Sequence, residues 1–245
     1  MVKHIFRYKQ FEIQQEHAAM KVGTDSDLLG TLAAGGRDIL DVGTGTGIIS
    51  LMLAQRYPEA YITAVEIDDD AVLDAQVNFA RSPFSSRLTL HHQSFQEFLA
   101  DEETAIPSAK GSGVERFDCV VCNPPYFDRS LECDTLGRTR ARHTSSLPFS
   151  VLAGGAYRLL KSGGVFSVCI PGEVLEDFCA ECAFCGFWLK DLYRIQSVPD
   201  KPAKRFVLVH QKGCVTETRI HDHCMRNADR TRSAWYRELM SEFLL

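Results

Sequence analysis

The sequence offers no run of about 18 consecutive apolar residues, so no membrane-spanning helix is expected. Met1-Val2-Lys3-His4-Ile5-Phe6-Arg7 carries charge with no apolar core behind it, and no secretory leader is expected. Low-complexity tracts and internal repeats are lacking. The eight histidines contain no His-Glu-x-x-His pair, which removes the helical zinc site of many hydrolases. No Gly-Lys-Ser/Thr follows any glycine turn, so a Walker phosphate loop is excluded as well. Positive charge is in deficit, with 27 Lys and Arg against 32 Asp and Glu. A net charge of -5 argues against a general nucleic-acid binder and leaves room for a local basic patch. Cysteine is not scarce, but nine is an odd count in a chain large enough to need no staples. Reduced thiols in a cytoplasmic protein are the simplest reading.

What is present is enough apolar content, 45% of 245 residues, for a sizeable core. Residues 3–14 alternate in places (Ile5, Tyr8, Phe11, Ile13) and predict a short strand or hairpin. A helix carrying Leu28, Leu29, Leu32 and Ala33 follows, capped by Thr24 or Asp25 and ended by Gly35-Gly36. Strands are predicted at 38–42, 61–65, 88–91, 117–122, 165–170, 189–198 and 205–211. Helical spacing separates the first five, and the last two follow one another. The pattern predicts an α/β fold: a mostly parallel seven-stranded sheet with an antiparallel strand and helices on both faces. Residues 1–245 read as one domain, with 1–36 a short N-terminal element packed on it. The tail from Arg230 to Leu245 reads as a helix.

Two turns carry chemistry. Asp38-Ile39-Leu40-Asp41-Val42 ends in Gly43-Thr44-Gly45-Thr46-Gly47, and glycines between strand and helix let a ligand approach the backbone beside a helix N-terminus. Glu66, at the end of the next strand, can accept from both hydroxyls of a ribose. A dehydrogenase fingerprint would need a small residue at Ile48, so the dinucleotide reading fails on spacing.

The second turn, Asn123-Pro124-Pro125-Tyr126, directly follows the apolar run Phe117–Cys122. Two prolines remove amide donors and stiffen the turn, so carbonyls and one side-chain amide point outward as acceptors. Such a turn suits a planar NH2 group, as in adenine or a carboxamide. Holding both hydrogens out of plane frees the nitrogen lone pair for an electrophile placed in line with it. Tyr126 offers a ring for stacking, worth about 1–3 kcal/mol per base.

The glycine spacing and the leading Asp41 look like the S-adenosylmethionine loop of Rossmann-like class I methyltransferases. The whole chain resembles the bacterial tRNA1(Val) adenine-37 N6-methyltransferases. The match runs through Phe6-Arg7-Tyr8-Lys9-Gln10-Phe11, Met20-Lys21-Val22-Gly23-Thr24-Asp25, Leu28-Leu29-Gly30, the Asp41–Gly47 loop, Asn123–Phe127 and Phe243-Leu244. The resemblance implies an S-adenosylmethionine site lined by Thr24, Asp41, Gly43, Gly45, Gly47, Glu66, Ser94 and Asn123. It further implies that Asn123, Pro124, Pro125 and Tyr126 receive an adenine flipped from its stack, with tRNA as partner and no membrane or obligate protein partner. Relatives usually carry an acid after the third strand. Here Gln93-Ser94-Phe95 stands there, and either Ser94, as a weaker acceptor, or a backbone group is expected to substitute.

Arg138-Thr139-Arg140-Ala141-Arg142-His143 is the densest basic run. Its place just past the catalytic turn points to RNA phosphates, with Lys201, Lys204 and Arg205 extending the patch. Cys179, Cys182 and Cys185, with His221, His223 and Cys224, have metal-like spacing. Cys179, Cys182 and Cys185 fall in an apolar helical stretch where thiols serve as small core residues, so no metal is expected. Two other functions share these motifs. A protein-glutamine N5-methyltransferase uses the same turn on a carboxamide, and a non-catalytic module could hold S-adenosylmethionine or RNA without turnover.

Overall fold

The computed structural model describes residues 5–105, 114–124 and 147–244. Near the N-terminus, β1 (Ile5–Arg7) and β2 (Glu12–Gln14) pair as an antiparallel hairpin, with Phe6 opposite Ile13. Next come α1 (Thr24–Leu32), β3 (Asp38–Val42), α2 (Ile48–Arg56), β4 (Tyr61–Glu66) and α3 (Asp69–Arg81). They are followed by β5 (Leu88–His92), α4 (Phe95–Ala105), β6 (Phe117–Cys122), α5 (Phe149–Leu159) and β7 (Leu160–Pro171). The remainder is α6 (Leu175–Phe184), β8 (Phe187–Gln196), β9 (Arg205–Lys212), β10 (Arg219–Cys224) and α7 (Ala234–Leu239).

Strands β3 to β10 form one sheet in the order β10-β8-β9-β7-β6-β3-β4-β5. Within it β9 runs antiparallel to β7 and β8, and the other pairings are parallel. The sheet therefore has eight strands, one more than the sequence predicts. The addition, β10, reads Arg-Ile-His-Asp-His-Cys and keeps its side chains exposed or half-buried. An edge strand of that composition carries no apolar alternation to read.

Alternation on the central strands sends one set of side chains to each face. Ile39, Cys119 and Val121 pack with Leu28, Leu29, Met52 and Phe79 of α1, α2 and α3. Leu40, Val42, Val120 and Cys122 face Phe98, Leu152, Ala156 and Phe178 of α4, α5 and α6. Cys119 and Cys122 thus serve opposite cores, where burial raises both thiol pKa values.

Three local expectations change. Gly23, not Thr24 or Asp25, is the N-cap of α1, and Asp25 pairs instead with Arg205 at the start of β9. Gly163, expected in a turn before the fifth strand, lies within β7, which absorbs it at φ 75° while its register against β6 shifts. The C-terminal helix shrinks to α7, because Arg226 and Arg232 bridge to make a hairpin ahead of it.

The N-terminal stretch is stapled to the body by polar side chains. Tyr8 Oη donates to buried Asp27 at 2.6 Å, and Lys9 N donates to Phe243 O at 2.8 Å. Asp74 of α3 accepts from the amides of Glu16, His17 and Ala18. One helical turn later Asn78 accepts from Gln14 N at 2.7 Å and donates to Gln14 O at 2.8 Å.

Candidate active site

From β3 the sheet grows outward through β4 and β5, and β6 then pairs on the opposite side of β3. This reversal of strand order opens a crevice beyond the carboxyl ends of β3 and β6, where open α/β sheets hold ligands. Val42 pairs with Cys122, so Gly43 and Asn123 leave the sheet side by side. The glycine loop and Asn123-Pro124, the described start of the second turn, therefore meet at one place.

Hydrogen bonds fix the glycine loop from below. Gly43 N and Thr44 N donate to Val65 O at 2.8 and 3.1 Å, and Gly47 N donates to Thr44 O at 2.9 Å. Asp41 is fully buried. Its Oδ2 accepts from Thr44 Oγ1 and Ser50 Oγ, each at 2.7 Å, while Oδ1 has no hydrogen-bond partner among the described residues. Burial raises this carboxyl to about 6 against those two hydrogen bonds, with nearby Glu66 adding to the rise.

The three glycines differ in their surroundings, although all have positive φ (68°, 59° and 82° for Gly43, Gly45 and Gly47). A Cβ added at Gly43 or Gly45 would meet nothing within 4 Å, so these two present open faces. A Cβ at Gly47 would lie 2.4 Å from Phe79 of α3. Gly47 therefore permits close packing of α2 on α3 and is not part of the open face.

Glu66 is buried and held by its own loop. Oε2 accepts from Gly45 N at 2.8 Å, and Oε1 accepts from Ile67 N at 2.8 Å and Asp68 N at 2.9 Å. One bond on Oε2 leaves that oxygen a lone pair for a hydroxyl donor. Thr24, half-buried, is the first residue of α1. Ser94 caps α4: its Oγ donates to Glu97 Oε2 at 2.7 Å and accepts from Glu97 N at 3.1 Å. The Ser94 donor is thereby committed to Glu97, while its oxygen keeps a second lone pair. Ser94 Oγ and Ser94 N both donate to Glu97 Oε2, and these two bonds lower the Glu97 pKa.

Asn123 is half-buried and Pro124 buried at the end of β6. Pro125, Tyr126, Arg138, Arg140 and Arg142 lie outside the described residues. Lys201 and Lys204 are exposed on the loop between β8 and β9, whereas Arg205 is half-buried against Asp25 and faces the protein. Cys182 is buried in the second core, with Cys179 and Cys185 packed beside it. Among the described residues no group of three or more His, Cys, Asp or Glu is disposed to hold a metal ion.

Sequence reasoning passed over several supports of this site. Asn78 Nδ2 donates to Thr46 O at 2.8 Å, linking α3 to the glycine loop, and no local pattern announces a contact across 32 residues. Ser50, beneath Asp41, sits in an apolar helical run and looks incidental there. Ser94-Phe95-Gln96-Glu97, by contrast, is a legible capping box.

The open glycine faces and the unpartnered oxygen of Asp41 beneath them fit a ligand laid over the loop. Comparison with known proteins names the class. A family model described as a methyltransferase domain matches residues 34–228. A tRNA1(Val) (adenine(37)-N6)-methyltransferase of Phocaeicola vulgatus is 41% identical over 242 residues, 98% of this chain and 97% of its own. The chain belongs to this methyltransferase family. The Vibrio vulnificus (strain YJ016) enzyme of the same name is 36% identical, across 98% of this chain and 95% of its own. Among solved structures, a predicted O-methyltransferase of Agrobacterium tumefaciens superposes with a TM-score of 0.65 at 21% identity, covering 89% of this chain and 96% of its own. The last likeness concerns the fold alone. Among the described residues, no helix of this methyltransferase is long and apolar enough to cross a membrane.

Proposed function

We propose that this protein transfers a methyl group from S-adenosylmethionine to the exocyclic N6 of adenosine 37 in valine tRNA. The observation that carries this reading is the meeting of the open glycine loop with Asn123-Pro124 at the carboxyl ends of β3 and β6. When bound, S-adenosylmethionine supplies a methyl group on a sulfonium, which is already a good leaving group. The chain's own part is positioning. The Gly43 and Gly45 faces let the cofactor lie against backbone, and the remaining lone pair on Glu66 Oε2 takes a ribose hydroxyl. Ser94, with one lone pair left, and Thr24 at the start of α1 complete the rim.

On the substrate side, the Asn123 side-chain oxygen and the Pro124 carbonyl each accept one hydrogen of the flipped adenine's amino group. That grip turns the nitrogen lone pair out of conjugation. Pro125 stiffens the turn and Tyr126 stacks on the base. The nitrogen would take the methyl carbon as the carbon–sulfur bond breaks to leave a neutral thioether, and its surplus proton would pass to water, so no strong base is required. Arg138, Arg140, Arg142, Lys201 and Lys204 contact tRNA phosphates, with Arg205 anchoring the loop that carries the two lysines. The polar staples from residues 9–18 to Phe243, Asp74 and Asn78 support treating the whole chain as one domain with 1–36 packed on it. It acts in the cytoplasm and needs no obligate protein partner. The protein-glutamine and non-catalytic alternatives draw no support from the relatives.

The test is transfer of labelled methyl into unmodified tRNA, with release-factor protein and duplex DNA as parallel acceptors. The expected product is N6-methyladenosine, in valine tRNA alone. Label in glutamine would overturn the substrate, and cofactor binding without any label would overturn catalysis. Asn123→Ala is expected to lower the rate by roughly 10²–10³, the range seen when one positioned polar group is removed from an active site. Near-normal turnover by that variant would remove Asn123 from its role.

A further inference from the structure

Charge is unevenly divided along the chain. Residues 187–245 hold eleven Lys and Arg against seven Asp and Glu, a net of +4, although the whole chain is at -5. Much of the excess collects at one end of the sheet. Strands β8 and β10 run in the same direction as β3 and β6, so their carboxyl ends lie at the end that holds the glycine loop and Asn123.

Beyond β10 the chain forms the hairpin 226–232, and beyond β8 it forms the loop 197–204. The two are neighbours, because Met225 N still donates to Gln196 O at 2.9 Å past the strand ends. Arg226, Arg230 and Arg232 on the hairpin, and Lys201 and Lys204 on the loop, are all exposed. No ion pair within 4 Å engages any of the five among the described residues, whereas Arg194, Arg205, Arg219 and Lys212 are paired with acids. Acids of the two loops do not neutralise the group. Asp229 Oδ1 is taken up by Thr231 N and Oγ1 at 2.9 and 2.6 Å, and Asp200 is the single acid on the other loop.

The hairpin is also built to hold its shape. Asn227 N donates to Thr231 O at 2.9 Å, and Asn227 Nδ2 donates to Thr231 Oγ1 at 3.0 Å. Arg230 sits at φ 67°, and Ser233 ties the base of the hairpin to Cys224 O at 2.6 Å while capping α7. Unpaired cations on a rigid turn complement a regular row of negative charge.

We propose that the 226–232 hairpin, with Lys201 and Lys204 beside it, is a docking surface for the phosphate backbone of the tRNA substrate. This rests on the function proposed above. The surface lies four strand spacings from β6, about 19 Å at roughly 4.8 Å per strand. Double-stranded DNA carries about one phosphate per 1.7 Å of axis and A-form RNA is at least as dense, so an RNA helix spanning that distance presents on the order of ten or more. The hairpin thus grips the backbone flanking the target and orients the tRNA, while the Asn123 turn receives the base.

The experiment compares wild type with Arg226→Gln/Arg230→Asn/Arg232→Gln in tRNA methylation and in tRNA binding across a salt series. Each lost phosphate contact removes about 0.7–0.9 from the slope of log K against log salt, so the slope falls by about 2–3. The KM for tRNA rises tenfold or more near physiological salt, with kcat and S-adenosylmethionine affinity unchanged. Arg232 also lowers the carboxyl pKa of Asp27 electrostatically, so the double variant Arg226→Gln/Arg230→Asn repeats the test without touching it. Its expected slope change is about 1.4–1.8. If wild type methylates tRNA and both variants match it in KM and slope, the docking surface is overturned and the function stands. Wild type that binds the cofactor but neither binds nor methylates tRNA takes both down.

Discussion

The three glycines of the Asp41–Gly47 loop look equivalent in sequence, and the structure separates them by what a methyl group would strike. Replacing any of them with alanine forces an L-residue to positive φ, a strain of about 1–2 kcal/mol. At Gly45 nothing else is added, since the new Cβ points into open space. At Gly47 the Cβ falls 2.4 Å from the Phe79 ring, between α2 and α3, and overpacking adds about 1–3 kcal/mol. Gly45→Ala should therefore destabilise by about 1–2 kcal/mol and Gly47→Ala by about 2–5 kcal/mol. For a chain of this size, each kcal/mol lowers Tm by about 2–4 °C. Cofactor affinity should follow the opposite order. In the site proposed above a methyl on the open Gly45 face stands where the cofactor approaches, and a loss of tenfold or more, about 1.4 kcal/mol, is expected. Gly47→Ala, measured well below its Tm, should bind more tightly than Gly45→Ala. Thermal melts and calorimetric titration of S-adenosylmethionine on both variants give the comparison. Equal stability losses with unchanged affinity for Gly45→Ala would refute the assignment of the open face to the ligand.

Asn78→Ala strips partners from half-buried Gln14 and buried Thr46 backbone groups, each worth up to about 1–3 kcal/mol when left unpaired. A loss of about 2–4 kcal/mol is expected, together with weaker cofactor binding, because Thr46 belongs to the glycine loop. Stability loss with cofactor affinity intact would break that link. His210 is 2% exposed among Phe166, Phe178 and Phe187, its Nδ1 has no partner among the described residues, and burial lowers its pKa to about 4. A depressed histidine costs stability as pH falls below its unfolded value near 6.5, and the loss is complete near 4. At pH 5 it amounts to about 2 kcal/mol. Asp27 and Asp41, both raised to about 6 by burial, act in the opposite sense over the same range, so raw acid stability hides the effect. His210→Leu isolates it. Denaturant unfolding at pH 7.5 and pH 5 should show the variant gaining about 2 kcal/mol on wild type at the lower pH. A difference independent of pH would show that His210 is not held neutral.

How much of this could be read beforehand depends on the kind of signal involved. Strands β3, β4, β6 and β7 announce themselves because both faces are buried and the residues are apolar runs such as Phe117–Cys122. The glycine loop and Asn123-Pro124 are legible because each needs special backbone chemistry at fixed offsets. Strand β10 is not, since an exposed edge needs no apolar pattern. Nor is the bulge at Gly163, where Ser162-Gly163-Gly164 looks like any turn and only the pairing partner makes it part of β7. Arg205 reads as a free cation in sequence and is held by Asp25, 180 positions away. Contacts of that separation leave no local trace.

Helix α3 shows why the site's least conspicuous supports matter. It starts directly after Glu66, with Asp68 as its N-cap accepting from Ala71 N at 2.8 Å. One turn apart, Asp74 and Asn78 hold the 14–18 segment, and Asn78 also holds Thr46 of the glycine loop. Phe79 then fills the space that Gly47 leaves open. A single helix thus begins beside Glu66, braces the glycine loop and latches the N-terminal segment. Buried polar side chains are costly unless fully paired, and Asn78 uses both amide hydrogens and its oxygen. Displacing residues 14–18 would unpair Asp74 and Asn78 together and loosen Thr46, so docking of the N-terminal segment and the shape of the glycine loop are energetically one event.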